Sequence, residues 1–120
     1  MAKIMIADDS DAIRMVLKDI ILIGKHECIA DASNGLDAVE KFKTTDPDLT
    51  LLDMAMPKKD GLAVLKELIK LKPSAKVIMI TASDNQVVIK QCITEGAAAY
   101  ILKPFNFEDV LNKISQVLNS

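Results

Sequence analysis

Residues 49–57 constrain the fold of this chain more than any other segment. They begin with an apolar run that has no helical period, and the run stops on one carboxylate, Asp53. Pro57 lacks a backbone donor and disfavours a helical conformation at the residue before it, so an extended loop must follow. The pattern predicts a buried strand that carries Asp53 to the edge of a sheet. Taken alone, Asp53 is equally well explained as a polar strand end or a loop cap.

Strand-like and helix-like segments alternate five times along the chain, with short connections. Two of the predicted helical faces are Ile13, Val16, Leu17 and Ile20, and Val88, Ile89, Cys92 and Ile93. Such alternation predicts a doubly wound α/β fold, in which a five-stranded parallel sheet carries five helices on its two faces. The second strand, residues 28–30, is weak, and we expect it at an edge of the sheet.

Composition and charge bound the class of protein. The chain has 120 residues, half of them hydrophobic, so residues 1–120 suffice for one domain that needs no disulfide to fold. Its net charge of −2 gives no reason to expect DNA as a partner. No apolar run approaches the roughly 20 residues that span a bilayer, and we expect no secretory signal before the first strand. We therefore expect a cytoplasmic protein in which Cys28 and Cys92 are buried free thiols.

Polar residues follow four of the five predicted strands, namely Asp8 and Asp9, Asp53, Thr81, and Lys103. Ligands of open α/β sheets bind beyond the carboxyl ends of the strands, so we expect these side chains to meet. Three carboxylates that close together either raise a pKa or bind a cation. Mg²⁺ suits them, because it takes carboxylates together with a phosphate oxygen. The only histidine, His26, is interpreted as a solvated surface residue.

Each of these residues also has an ordinary structural explanation. Asp8 and Asp9 are typical helix caps, Thr81 is a usual strand residue, and Lys103 can extend to solvent. Together, however, they suit phosphoryl transfer to a carboxylate, in which Asp53 is the nucleophile and an acyl phosphate forms. The ammonium and the hydroxyl would hold the phosphoryl oxygens. No general base is needed, since the carboxylate is already ionised.

The chain resembles the response-regulator receiver domain over its whole length, and most closely the stand-alone CheY-like proteins. The resemblance rests on one ordered set of residues: Asp8-Asp9, Asp53 with Met56-Pro57 and Asp60-Gly61, Thr81-Ala82, and Lys103-Pro104-Phe105. It implies a flavodoxin-like sheet in the order 2-1-3-4-5. It also implies that Asp53 is the phospho-acceptor and that a sensor histidine kinase is the phosphodonor, with small phosphodonors usually accepted as well.

The resemblance implies a role for each metal-site residue. Asp9 matches the direct Mg²⁺ ligand, and Asp8 acts mainly through water. Asp53 and the backbone carbonyl of Ala55 complete the implied shell. Ala55 and Ser83 stand at positions that tune acyl-phosphate hydrolysis in this family, and both are small. The lifetime of the acyl phosphate therefore stays open.

The resemblance also implies a conformational switch. Thr81 and Lys103 match the hydroxyl and the lysine that contact the phosphoryl group, and Tyr100 matches the switch aromatic. Thr81 would move toward the phosphoryl group, and the Tyr100 ring would turn inward. The output face would be the fourth helix, the fifth strand and the fifth helix. Val87 lies off the apolar stripe of the fourth helix and Ile89 lies at its edge. Either is a candidate partner contact, and a shifted stripe is the favoured alternative explanation.

The implied function is that of a monomeric signalling switch and not of an enzyme, apart from self-phosphorylation and self-dephosphorylation. A target such as a flagellar motor switch or an adaptor would place it in chemotaxis, and a phosphorelay or cell-cycle regulator is the alternative. A flavodoxin-like flavin carrier would need a loop rich in Ser, Thr and Gly where Asp8-Asp9 stand, and aromatics make up only 3% of this chain. An aspartate-nucleophile phosphatase of the haloacid-dehalogenase type would need an acid where Ala55 stands.

Overall fold

The computed structural model describes residues 1–120, and strands and helices alternate through them. The strands are β1 (Lys3–Ala7), β2 (Glu27–Ala32), β3 (Leu49–Asp53), β4 (Val77–Thr81) and β5 (Ala99–Leu102). The helices are α1 (Asp11–Ile23), α2 (Gly35–Thr45), α3 (Gly61–Leu71), α4 (Gln86–Thr94) and α5 (Phe107–Leu118). None of these helices is both long and apolar enough to cross a bilayer.

Helix boundaries follow from capping residues in the sequence. Each helix begins after a residue whose side-chain oxygen accepts a backbone N–H of the first turn, which satisfies a donor that has no partner within the helix. These residues are Ser10, Asn34, Asp60, Asn85 and Asn106. Helix α1 is followed by its C-cap residue, Gly24. Helix α2 ends at Asp46, which has a φ of 47° and directly precedes Pro47.

The five strands form one parallel sheet in the order β2-β1-β3-β4-β5. This order confirms the predicted flavodoxin-like fold and the predicted edge position of the weak second strand. Chain order reverses between β1 and β3, which are hydrogen-bonded neighbours. A crevice therefore opens at the carboxyl ends of these two strands, and this is where ligands bind in sheets of this kind.

Two apolar cores sandwich the sheet, one on each face. The first, of 15 buried residues, includes Leu52 of β3 together with Phe42 and Leu68 of α2 and α3. The second, of 14 buried residues, includes Leu51 together with residues of α1 and α5. Neighbouring strand residues point to opposite faces of the sheet. Since a core covers each face, every residue of β3 and β4 is buried. Strands covered on both faces read as continuous apolar runs, which explains the pattern in the sequence.

Several individual predictions differ from the structure. The apolar stripes predicted for α1 and α4 are wider than the faces that pack, so Val16 and Ile93 are 46% and 45% exposed. Of the two candidate partner contacts on α4, Ile89 is buried and Val87 is exposed. His26 is not simply solvated, because it is half-buried and its Nδ1 accepts the Ala2 N–H at 3.0 Å.

The two cysteines are free, as expected, but they differ in burial. Cys92 is buried in α4, whereas Cys28 is only half-buried in the edge strand β2. Burial raises the pKa of both thiols, and the charge of Asp31 adds to this effect at Cys28. Both thiols are therefore weak nucleophiles at neutral pH.

Candidate functional site

Residues from four strand ends meet at the carboxyl edge of the sheet. Asp53 and Thr81 are the last residues of β3 and β4, whereas Asp8 and Lys103 directly follow β1 and β5. Backbone hydrogen bonds align these ends, since the Lys103 N–H donates to the Thr81 carbonyl at 2.8 Å. The residues that the sequence predicts to meet therefore lie at one edge of the sheet.

Lys103 links the two buried acids of the site. Its Nζ lies 3.2 Å from Asp8 Oδ2 and 3.2 Å from Asp53 Oδ1. The carboxyl side chains are 1% and 5% exposed, and the lysine side chain is 24% exposed. The peptide bond between Lys103 and Pro104 is cis. One ammonium therefore faces two carboxylates that have almost no access to water.

The charges of this cluster shift the pKa values of its members. Burial raises the pKa of Asp53, and the nearby charge of Asp8 raises it further, while Lys103 acts in the opposite direction. Burial alone would lower the pKa of Lys103, but the charges of Asp53 and Asp8 outweigh it and raise that pKa. The site thus carries an excess of negative charge that a further cation would relieve.

Asp9 completes a cluster of three carboxylates. Asp8, Asp9 and Asp53 each offer an oxygen, and these three oxygens lie within 4.8 Å of one another. Asp9 is exposed, whereas the other two acids are buried. A set made only of hard oxygen ligands, open on one side, fits Mg²⁺ with several retained waters.

Asp53 and Ala55 are connected within the loop that follows β3. The Ala55 N–H donates to Asp53 Oδ1 at 3.4 Å, and this oxygen also faces Lys103. Asp53 Oδ2 accepts no hydrogen bond from the protein, and it is not among the fully buried atoms without a partner. Of the two Asp53 oxygens, Oδ2 is therefore the one without a hydrogen-bond partner in the protein.

Thr81 and Tyr100 lie near the cluster without belonging to it. The Thr81 side chain is buried, and its Oγ1 accepts the Ser83 N–H at 3.0 Å instead of contacting Asp53 or Lys103. Tyr100 is half-buried in β5 and packs against the core that includes Leu52. The structure thus brings Lys103 into contact with Asp8 and Asp53, places Asp9 beside these two acids, and leaves the hydroxyl of Thr81 engaged with its own loop.

Sequence reasoning missed two residues that hold Asp8. The Ser10 N–H donates to Asp8 Oδ1 at 2.9 Å, and Arg14 Nη1 donates to the Asp8 carbonyl at 2.7 Å. The first contact was detectable, because an aspartate commonly accepts the N–H two residues ahead. The second was not, because it depends on how α1 packs beside the end of β1.

Comparison with known proteins agrees with this geometry. Residues 4–115 match the family model of the response regulator receiver domain. The chain belongs to this family. The chemotaxis protein CheY of Bacillus subtilis is 40% identical over 117 residues, which cover 98% of each chain. The chemotaxis protein CheY of Thermotoga maritima is 38% identical over 117 residues, which cover 95% of this chain and 98% of that protein.

A solved structure supports the same assignment. The CheX–CheY–BeF3–Mg²⁺ complex from Borrelia burgdorferi contains a chain that superposes with a TM-score of 0.94 at 32% identity, covering 96% of this receiver and 87% of that chain. The predicted family and strand order are thereby confirmed. Receiver domains of two-component systems are signalling switches that take phosphate from a kinase, bind Mg²⁺ at an acidic pocket and bind downstream targets.

Proposed function

We propose that this receiver, residues 1–120, is a switch in which Asp53 accepts a phosphoryl group from a sensor histidine kinase in the presence of Mg²⁺. One observation carries the proposal. Lys103 Nζ bridges Asp8 and Asp53 at 3.2 Å each, inside a cluster of three acids at the point where strand order reverses. A half-buried lysine that faces two buried carboxylates is suited to a phosphoryl group, which brings negative charge that needs both a cation and an ammonium.

Asp53 is the proposed nucleophile because one of its oxygens has no donor within the protein. Oδ2 would attack the phosphorus of a phosphohistidine, so a P–O bond forms while the P–N bond breaks. The electron pair of the broken bond stays on the imidazole nitrogen, which then takes a proton. Lys103 already lies beside Asp53, so its ammonium needs little movement to contact a phosphoryl oxygen. Hydrolysis of the acyl phosphate by water would return Asp53 to its free form.

The carboxylates of Asp8, Asp9 and Asp53, with the Ala55 carbonyl, are the residues that would hold Mg²⁺. When bound, this ion supplies positive charge that offsets the phosphoryl oxygens and the repulsion among the acids. The Ala55 carbonyl accepts no hydrogen bond within the protein, so it is free to serve as a ligand. Asp8 is buried and already accepts from Lys103 and Ser10, which favours a contact through water for this residue.

Thr81 and Tyr100 are the proposed switch. To reach a phosphoryl group, the Thr81 hydroxyl must turn away from the Ser83 N–H, which it accepts at 3.0 Å in the resting structure. That movement would change the space beside the half-buried Tyr100 ring. The surface formed by α4, β5 and α5 exposes the large apolar residues Val87, Leu102 and Phe107, which are 67%, 40% and 50% exposed. Exposed apolar groups of this kind favour a protein partner on that surface.

A role in chemotaxis, with a flagellar motor switch or an adaptor as the target, is the first proposal because both curated relatives described above are named chemotaxis proteins. A phosphorelay or cell-cycle regulator is the second. We propose a cytoplasmic, monomeric protein in either case. Affinity capture with the beryllofluoride-treated protein, compared with untreated protein, would identify the target and decide between the two roles.

Phosphorylation itself provides the direct test. Incubation with acetyl phosphate and Mg²⁺ should add one phosphoryl group, detected by intact-mass spectrometry, and Asp53→Asn should abolish the addition. Asp60→Asn is a matched control, because Asp60 is also a loop aspartate of this region but serves as the N-cap of α3. Phosphorylation of Asp53→Asn at the wild-type rate would refute the assignment.

A further inference from the structure

Arg14 on α1 contacts the metal-site region without being one of its predicted residues. Its side chain is only 15% exposed. Nη1 donates to the main-chain carbonyl of Asp8 at 2.7 Å, and Nε lies 3.3 Å from Asp31 Oδ2 at the end of β2. Nη2 contacts the carboxylate of Asp11 in the first turn of α1. One planar guanidinium thus joins the ends of two strands to the start of a helix.

The Asp8 carbonyl depends on Arg14 for its hydrogen bond. Asp8 lies just beyond β1, and its N–H donates to the Ala32 carbonyl of β2 at 3.0 Å. No backbone N–H donates to its carbonyl, so Arg14 supplies the partner that this buried group needs. The peptide between Asp8 and Asp9 is planar, and a fixed carbonyl therefore also fixes the Cα of Asp9.

The side chain of Asp9 has no hydrogen-bond or ion-pair partner of its own within the protein. Its carboxylate is exposed and makes neither a hydrogen bond nor an ion pair within the protein. Asp8 differs, since both of its carboxyl oxygens accept hydrogen bonds, from Ser10 and from Lys103. The orientation of the Asp9 side chain therefore depends on its backbone alone.

We propose that Arg14 is a positioning residue for the Mg²⁺ site, and that it orients the Asp8–Asp9 peptide so that the Asp9 carboxylate lies ready for the ion. This inference rests on the proposed function. Arg14 acts through a neutral carbonyl and not as a counterion of the cluster, because its own charge is matched by Asp11 and Asp31. A partner that orients a ligand in this way typically changes metal affinity 10-fold to 100-fold when it is removed.

Two nearby residues provide matched controls. Lys18 pairs with Asp31 at 3.0 Å from the same helix but does not contact Asp8. Asp31→Asn removes the acid that both cations share and leaves the Arg14 contact with the Asp8 carbonyl in place. If Arg14 only tied α1 to β2, Asp31→Asn would have the same effect as loss of Arg14.

The experiment compares wild type with Arg14→Met, Lys18→Met and Asp31→Asn by titration calorimetry with Mg²⁺. Met keeps the apolar stem of the arginine and removes its donors. We expect the Mg²⁺ dissociation constant to rise roughly tenfold in Arg14→Met and less than about twofold in the two controls. A second readout needs no metal: the amide resonance of Asp9 in nitrogen-proton correlation spectra should move in Arg14→Met and stay in place in Lys18→Met.

The outcomes separate this inference from the proposed function. If wild type binds Mg²⁺ and Arg14→Met binds it equally well, or Asp31→Asn weakens binding as much as Arg14→Met, the positioning role is wrong and the function stands. A wild-type protein that neither binds Mg²⁺ nor becomes phosphorylated overturns both.

Where Arg14→Met does not fold, Arg14→Lys serves instead, because a single ammonium cannot contact Asp8 and Asp31 together in the geometry of the guanidinium. We expect it to bind Mg²⁺ severalfold more weakly, and wild-type affinity would contradict the role.

Discussion

The two edges of the sheet hold their charged residues in opposite ways. At the carboxyl edge, Asp8 and Asp53 are almost fully buried and share one lysine. At the amino edge, Lys72 pairs with Asp46 at 2.8 Å, and their side chains are 39% and 75% exposed. Exposed pairs contribute little to stability, whereas a buried cluster loses much of its hydration and depends on every partner. The carboxyl edge is thus arranged for binding at some cost to stability, and the amino edge is not.

Glycine substitution should give the largest difference between the two edges. A Cβ on Gly61 would lie 2.3 Å from the Asp53 carbonyl oxygen and 2.6 Å from Met54 Cα, which are backbone atoms that cannot move aside cheaply. We expect Gly61→Ala to lower the free energy of unfolding by about 3 kcal/mol, because the loop after β3 must shift. Urea unfolding followed by circular dichroism measures this change.

The amino-edge control for that experiment is Gly24→Ala. There a Cβ would meet side-chain atoms, Leu111 Cδ2 at 2.6 Å and His26 Cδ2 at 3.1 Å, and side chains can rotate away. We expect a loss of about 1 kcal/mol. Equal losses for the two variants would mean that the loop after β3 is no more tightly packed than the end of α1.

Removal of a lysine should give the second largest difference. Lys103→Met leaves Asp8 and Asp53 buried without a counter-charge, and we expect a loss of about 2 kcal/mol at neutral pH. Lys72→Met at the amino edge breaks an exposed pair, and we expect a change below about 0.5 kcal/mol. Thermal unfolding of the two variants in parallel checks this, and a comparable loss for Lys72→Met would remove the distinction between the edges.

Removing the charge of Asp53 should have a smaller effect on stability, and this effect should be a gain and not a loss. Burial and the charge of Asp8 raise the pKa of Asp53 above the value of 3.8 for a free aspartate. Because its pKa is raised in the folded state, the contribution of Asp53 to the free energy of unfolding is fully present below the unfolded pKa and is lost as pH rises through the folded pKa. An asparagine does not ionise, so Asp53→Asn does not lose this contribution. We expect this variant to be about 1 kcal/mol more stable than wild type at pH 7.

Denaturant titrations across pH check this sign. The advantage of Asp53→Asn should shrink as the pH falls and vanish below about pH 4, where the wild-type carboxyl is protonated. Addition of Mg²⁺ at pH 7 should also reduce the stability difference between Asp53→Asn and wild type, because the ion stabilises only a protein that binds it. An advantage that is independent of pH would point to a packing effect of the amide and not to relief of charge repulsion.

The kind of signal that each feature leaves in the sequence explains what could be predicted. Apolar runs and helical spacing gave all ten elements, and the polar residues at strand ends identified the side chains that meet in the crevice. The helical faces of α1 and α4 were predicted too wide, since a period does not reveal whether a neighbour covers a residue such as Val16 or Ile93. The Arg14 contact escaped prediction for a related reason: its partner is a backbone carbonyl, which has no signature in the sequence.

Two buried threonines provide the smallest test of the comparison. Thr50, near the amino end of β3, is completely buried, and its Oγ1 has no hydrogen-bond partner. Thr81, at the carboxyl end of β4, is also buried, but its Oγ1 accepts the Ser83 N–H. Replacing a hydroxyl that has no partner with a methyl of similar shape removes a desolvation cost, so we expect Thr50→Val to gain about 0.5 kcal/mol in unfolding free energy. Thr81→Val should instead lose stability, because the Ser83 N–H is left without its acceptor. A loss for Thr50→Val of the same size would mean that its hydroxyl is hydrogen-bonded in solution and that both edges satisfy their buried polar groups equally.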